Sequence, residues 1–265
     1  MRFKKPLFQE IPAMHALHFR LLIGLTLALP MLATPGIAPA QSSALAATPP
    51  STTTRLPIYR PPMLGAPATR VGGASRGSPD NDGLTLSVLA PESTGLTRRA
   101  QPTLYWCSSK SLTTPLEFSL NDDHSIKPLV EMKLNAAQPG IHALHLTYPL
   151  KTGVEYQWAI AAVADPNQRA GDLIAGGTIQ RVEPTPALAA QLDNASPGEQ
   201  VLLYAEQGFW YDALAVLSEQ IDANPADHHW REQRVALLEQ VGLNTVAWQD
   251  QKFFASGTKP AYASH

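Results

Sequence analysis

Between Ile179 and Pro225 the chain changes its hydrophobic period, and that change limits what it can fold into. The stretch reads IQRVEPTPALAAQLDNASPGEQVLLYAEQGFWYDALAVLSEQIDANP. Thr185 is a good N-cap, and Pro186 suits the first helical position, where its missing N–H is harmless. Ser196-Pro-Gly-Glu199 spells a capping box with proline again at the first position. Val201, Tyr204 and Ala205 form the buried stripe of that helix, and Gly208 stops it. Trp210, Ala213, Leu214, Leu217 and Ile221 recur at helical spacing until Asn224-Pro225. A further helix is expected from the cap Asp227 to Gly242, with Trp230, Val235, Leu238 and Val241 inward. A last short helix takes in Val246 and Trp248.

Upstream of this stretch the period is two. Short runs at Leu84–Leu89, Thr103–Cys107, Leu116–Leu120, Leu129–Leu134, Ile141–Leu146, Glu155–Val163 and Thr178–Val182 are punctuated by Pro, Gly, Asn and Asp. About seven short strands in roughly a hundred residues suggest an immunoglobulin- or fibronectin-like sandwich. Leu150-Lys-Thr-Gly153-Val-Glu-Tyr156 has the spacing of a tyrosine corner, in which the hydroxyl bonds back to the backbone. Tyr156, Trp158 and Ile160 then share an inward face. The fold class is segregated α+β: a sandwich over 84–182 and a small helical domain over 183–250, with a frayed tail at 251–265.

The N-terminus reads as an export signal. Arg2, Lys4, Lys5 and Arg20 precede the apolar run Leu21 to Leu29, and Ala38-Pro39-Ala40 offers small residues for cleavage. The run falls short of the ~20 residues of a membrane span. Residues 1–40 are therefore expected to leave at a cut near Ala40, so the mature chain has no stable membrane span. The alternative is an uncleaved anchor. Residues 41–83 form a basic arm rich in Pro, Ser and Thr, expected to be largely disordered. Within it, Gly73-Ala-Ser75-Arg-Gly77 matches the pattern of a hydrolase nucleophile elbow. That motif works only between a strand and a helix, and here a proline-rich arm and a turn cluster flank it. Asp80-Asn81-Asp82-Gly83 hints at a calcium loop, but Leu84 and Pro91 stand where ligands belong. A solvated turn is the better reading.

Charge and the scattered polar residues narrow function further. Residues 183–250 hold eleven acids against Arg231 and Arg234, whereas 41–79 hold four arginines and no acid. An acidic folded part disfavours nucleic-acid binding. The single cysteine, Cys107, excludes an intrachain disulfide and sits in an apolar strand as a structural thiol. His142 and His145, three apart on a strand, point to opposite faces and do not share a metal. Asp122-Asp123-His124 is a hairpin tip, and Asp165–Arg169 a loop pinned by Arg169. No catalytic, cofactor or metal site is assigned.

Gly208, Trp210, Ala213, Leu217 and Pro225 stand at the offsets of the second helix of a tetratricopeptide motif, which this hairpin resembles. The chain as a whole resembles a family of exported bacterial proteins known as domain of unknown function 928. The matching residues are Arg70-Val-Gly-Gly, Ser75-Arg-Gly77, Leu89-Ala-Pro-Glu92, Gly95-Leu-Thr97, Pro102-Thr103, Tyr156-Gln-Trp158, Asp165-Pro166, Arg169, Ile179-Gln-Arg181-Val182 and Ala205-Glu206 with Gly208–Leu214. The resemblance implies export and the same β-then-α order, but no established activity. Family members often carry cysteines near the positions of Ser78 and Ala164, so any family disulfide is absent here. The expected function is a non-enzymatic module that binds an envelope protein, in the periplasm or at the cell surface. A carbohydrate or surface-polymer binder is the alternative, and a serine hydrolase using Ser75 the weakest. Phe209 and Tyr211 are the candidate interaction residues. Trp210 begins the inward stripe, so Tyr211, one helical step of about 100° away, is expected at an exposed rim. The competing reading packs Tyr211 on the sandwich or the arm.

Overall fold

The computed structural model describes residues 55–62, 70, 73–74, 83–122, 124–135 and 138–255. The export signal, Ser75 with its G-x-S-x-G match, Asp80–Asp82 and the residues after 255 lie outside the described residues. The described residues belong to one compact unit. They combine nine strands with five α-helices, an α+β protein with the strands first.

Two sheets carry the β part. Strands β1 (Gly73–Ala74), β2 (Thr85–Val88), β4 (Thr103–Ser108) and β7 (Gly140–His145) form an antiparallel sheet in the order β1-β2-β4-β7. Strands β3 (Gly95–Thr97), β5 (Leu116–Asp122), β6 (Val130–Leu134), β8 (Glu155–Ala162) and β9 (Leu173–Arg181) form the second, ordered β3-β9-β8-β5-β6. Only β3 against β9 runs parallel there. The alternation of β8 places Tyr156, Trp158 and Ile160 on the buried face and opposes Trp158 to Leu120 and Ile160 to Phe118. Leu86 and Val88 of the first sheet join them in one core. The Tyr156 hydroxyl accepts the N–H of Lys151 at 3.1 Å, so it does bond back to the backbone five residues upstream.

Helices α1 (Pro186–Asn194), α2 (Pro197–Glu206), α3 (Trp210–Ala223), α4 (His228–Gln240) and α5 (Asn244–Ala255) follow. Thr185 and Ser196 cap α1 and α2, with Glu199 completing the capping box. Both α2 and α4 end in the same way. After α2, Gly208 (φ +78°) and Phe209 return their N–H groups to Ala205 (3.2 Å) and Tyr204 (2.9 Å). After α4, Gly242 (φ +73°) and Leu243 return theirs to Glu239 (3.0 Å) and Leu238 (3.0 Å). This is the Schellman closure, which needs a left-handed residue and so favours glycine. Gly242 follows Gly208 by 34 positions, and Val201/Val235, Tyr204/Leu238 and Ala213/Ala247 repeat at the same distance. A second helical hairpin, α4–α5, therefore echoes α2–α3, where sequence suggested a capping helix and a short terminal one. Polar residues hid it. Arg231, Gln233 and Arg234 of α4 are buried, which erases the apolar stripe. Helix α5 also runs to Ala255, into the segment expected to be frayed.

The arm corrects a further expectation. Residues 55–62 are not free chain but lie extended along the ends of α2 and α4, because Pro57 and Tyr59 are buried there.

Candidate interaction surface

Helix α3 is the centre of the molecule. From Trp210 to Ser218 every side chain is buried, because α3 packs against α2, α4, β3 and β4 together. The Trp210 indole donates to the carbonyl of Leu89 at 2.8 Å and meets the Tyr59 ring edge-on at 4.9 Å. Tyr211 is only 1% exposed. Its hydroxyl donates to the carbonyl of Thr178 at 2.9 Å and accepts the Trp158 indole N–H at 2.9 Å. Burial pushes this phenol above its usual value. Its ring fills the space over Gly95, where a Cβ would stand 2.8 Å from a ring carbon. Phe209 is buried too, its ring 6.1 Å from Tyr204 across the Schellman turn. Both residues expected at a reachable interface are thus interior. The inward stripe and its opposite face are both covered, one by helices and the other by the sheet.

Charged groups line the same junction. Asp212 is buried beside Tyr211. Desolvation pushes its carboxyl up to about 6, partly offset by the Arg98 N–H at 2.9 Å and by the Arg99 guanidinium. Arg234 makes a two-pronged pair with Asp250 (2.7 and 2.8 Å) and donates to Ser218 at 3.1 Å, and Arg231 reaches Asp250 as well. This buried cluster joins α3, α4 and α5, and loss of one partner would strand a charge. Arg181 clasps the exits of two turns, donating to the carbonyls of Arg98 (3.4 Å) and Leu150 (3.3 Å). Arg169 bridges Glu117 (2.8 Å) and Asp172 (2.5 Å), pinning its loop. The Cys107 thiol lies 3.3 Å from Gln249, and burial pushes it up to about 12. His142 stacks on Trp106 and bonds the Gln138 carbonyl at 2.7 Å. Burial lowers its pKa. His145 faces outward, bonded to Thr103.

Exposed large apolar side chains among the described residues lie on the arm, at Ile126 and Ile174 of the β part, and on α5. Gln240 grips the arm from two sides: its amide donates to the Pro57 carbonyl and accepts the Tyr59 N–H, each at 2.9 Å. Arg60 donates its N–H at 3.0 Å to the carbonyl of Ala205, which thereby accepts a second bond beside that from the Gly208 N–H. Arg55 pairs with Glu206 at 3.0 Å. Gly208 admits the arm closely, since a Cβ there would stand 3.1 Å from the Arg60 carbonyl. Leu56 and Ile58 face out, 48% and 53% exposed. Beyond Arg55 a cleft of about 410 Å³ opens between α1 and α2 over Leu202 and Leu203. On α5, Trp248 is 59% exposed. Its counterpart 34 positions earlier, Leu214, is fully buried.

Arg70 closes the other end of the arm by donating to the carbonyls of Ala90 (3.0 Å) and Val241 (2.8 Å). It thereby joins the Leu89–Glu92 turn to the end of α4. The segments that meet there, with the Tyr156–Trp158 strand and the Gly208–Leu214 stretch that opens α3, fall within a stretch that one family model matches. That model, Domain of Unknown Function (DUF928), covers residues 71–251. The chain belongs to the DUF928 family. Comparison with curated proteins finds no match. For this DUF928 protein, no described helix is long and apolar enough to cross a membrane, and no described group of three or more His, Cys, Asp or Glu is placed to hold a metal. Sequence reasoning missed the arm's docking site. The available signal was Pro57-Ile-Tyr59, the arm's single aromatic, two positions from a proline on either side.

Proposed function

We propose that this DUF928 protein is an exported, non-enzymatic module for binding proteins of a bacterial envelope. Its sheets are read as an immunoglobulin/fibronectin-like sandwich and its helices as a tetratricopeptide-like pair of hairpins. The observation that carries the function is the helical layer's hold on an extended segment through main-chain groups: Gln240 on Pro57 and Tyr59, and Ala205 on Arg60. The 34-residue recurrence of the Gly208 and Gly242 closures supports the tetratricopeptide-like reading. The parallel β3–β9 pair and the Tyr156 hydroxyl bond support the sandwich class. The carbohydrate alternative draws no support from the sheets, whose Tyr105, Trp106, Phe118, Tyr156 and Trp158 are buried and present no stacking platform. The arrangement of Cys107 and His142 favours structure over chemistry. The thiol is held protonated by burial and the imidazole is sandwiched on an indole.

The test is photo-crosslinking in the exporting cell, with a benzophenone amino acid at Ile58 or Trp248. Covalent adducts to another envelope protein are expected. Absence of adducts at both positions, with the protein exported and folded, refutes the interaction module. Binding on a glycan array would instead revive the carbohydrate alternative.

A further inference from the structure

The arm is a ligand already in place, and its chemistry describes what the groove accepts. Three properties define it. First, the segment is extended and set between prolines, Pro57 and Pro61-Pro62, so little chain entropy is lost when it is held. Second, recognition combines one aromatic anchor, Tyr59 against Trp210, with main-chain bonds that fix register but not the neighbouring side chains. Third, the segment is cationic and its seat acidic: Arg55 meets Glu206, within a helical part of eleven acids and two arginines.

The same segment is poorly optimised as permanent core. Its two branched apolar side chains, Leu56 and Ile58, point to solvent. Only Pro57 and Tyr59 are inserted, and the cleft beyond Arg55 extends the seat past the part that the described arm fills.

We propose that the groove at the C-terminal ends of α2 and α4 is a recognition site for extended, cationic, proline-flanked tyrosine segments of partner proteins, with residues 55–62 as its built-in competitor. This rests on the interaction-module reading and adds to it both the class of ligand and a form of regulation. A partner segment binds when it displaces the arm, so apparent affinity is reduced by the fraction of molecules whose groove is open. The arm, being tethered, competes at an effective concentration that can reach millimolar.

The experiment is fluorescence anisotropy of a labelled peptide spanning residues 53–63, titrated with the full chain. Arg55→Glu weakens the arm at an exposed position, and Tyr59→Ala weakens it at the anchor. Both variants are expected to bind the peptide more tightly than the unaltered chain, Arg55→Glu by about two- to fivefold, the worth of an exposed ion pair, because more grooves stand open. Adding Gln240→Ala to Arg55→Glu should remove that gain, and a peptide with alanine for tyrosine should not bind. Arg55→Glu disturbs no buried group and so remains informative should Tyr59→Ala fail to fold. Equal affinity for the unaltered chain and Arg55→Glu, or binding indifferent to Gln240, overturns the proposal. A dimer of the unaltered chain, seen by light scattering and dissolved by the peptide, overturns it in favour of arm exchange between two copies. Crosslinks in cells without peptide binding overturn this site alone and leave the interaction module standing.

Discussion

Removing one oxygen tests the joint between helices and sheets. Tyr211→Phe deletes a hydroxyl that both accepts the Trp158 indole N–H and donates to the Thr178 carbonyl, each at 2.9 Å. The carbonyl loses one partner, worth about 0.5–1.5 kcal/mol net. The indole N–H fares worse. Trp158 is 1% exposed, so no water replaces the hydroxyl, and an orphaned buried donor costs about 1–3 kcal/mol. The total is about 2–4 kcal/mol, with the ring still filling its space over Gly95. A chain whose folded part is near two hundred residues should lose about 4–16 °C in Tm, at roughly 2–4 °C per kcal/mol. Urea melts followed by far-UV circular dichroism give the free energy without relying on tryptophan emission. Trp158→Phe provides the control. Once the indole donor is gone, Tyr211→Phe should cost only about 0.5–1.5 kcal/mol, so the two substitutions should couple by about 1–3 kcal/mol in a double-mutant cycle. Strict additivity, or a single-variant cost below about 0.5 kcal/mol, refutes the buried bridge.

Asp212 predicts an unusual pH dependence. Its folded pKa, about 6, lies above its ordinary 3.8, so the folded state binds the proton more tightly. The resulting stabilisation is complete below about 3.8 and is lost as pH rises through about 6, and the gap corresponds to ~3 kcal/mol. Asp212→Asn keeps an acceptor for the Arg98 N–H without the charge. It should flatten the stability profile between pH 4 and 7, and parallel profiles for the two proteins would rule this out. Tyr156→Phe should cost about 0.5–1.5 kcal/mol in a urea melt with the fold retained, and an unchanged melt would mean that the Lys151 bond contributes nothing. Intact-mass measurement of exported protein should show loss of about forty residues by signal cleavage, and a full-length species would contradict the expected cut near Ala40.

Local chemistry made much of the fold legible in the sequence. The strand runs, the Thr185 and Ser196 caps and the Gly208 stop all depend on neighbours within a few residues, and they stand near where their residues placed them, except that β9 begins at Leu173, five residues before the expected Thr178. The two strands missed, β1 and β3, are two and three residues long, too short to show a period. The inward face of β8 was legible because a strand offers only two faces. What the sequence could not settle was which surfaces would be covered from more than one side. A helical stripe identifies the buried face only when the opposite face meets water. Helix α3 lies between the sheets and the other helices, so its second face is buried and Tyr211 is interior. The α4–α5 hairpin was masked because Arg231 and Arg234 take the place of apolar residues, and only their pairing with Asp250, sixteen to nineteen positions on, makes their burial tolerable. The arm looked too polar to order because its own residues bury little apolar area. Tertiary structure supplied what it lacked: a tryptophan ring for Tyr59, a helix-end carbonyl with room for a second donor for Arg60 and a glutamine amide able to bond its backbone from both sides.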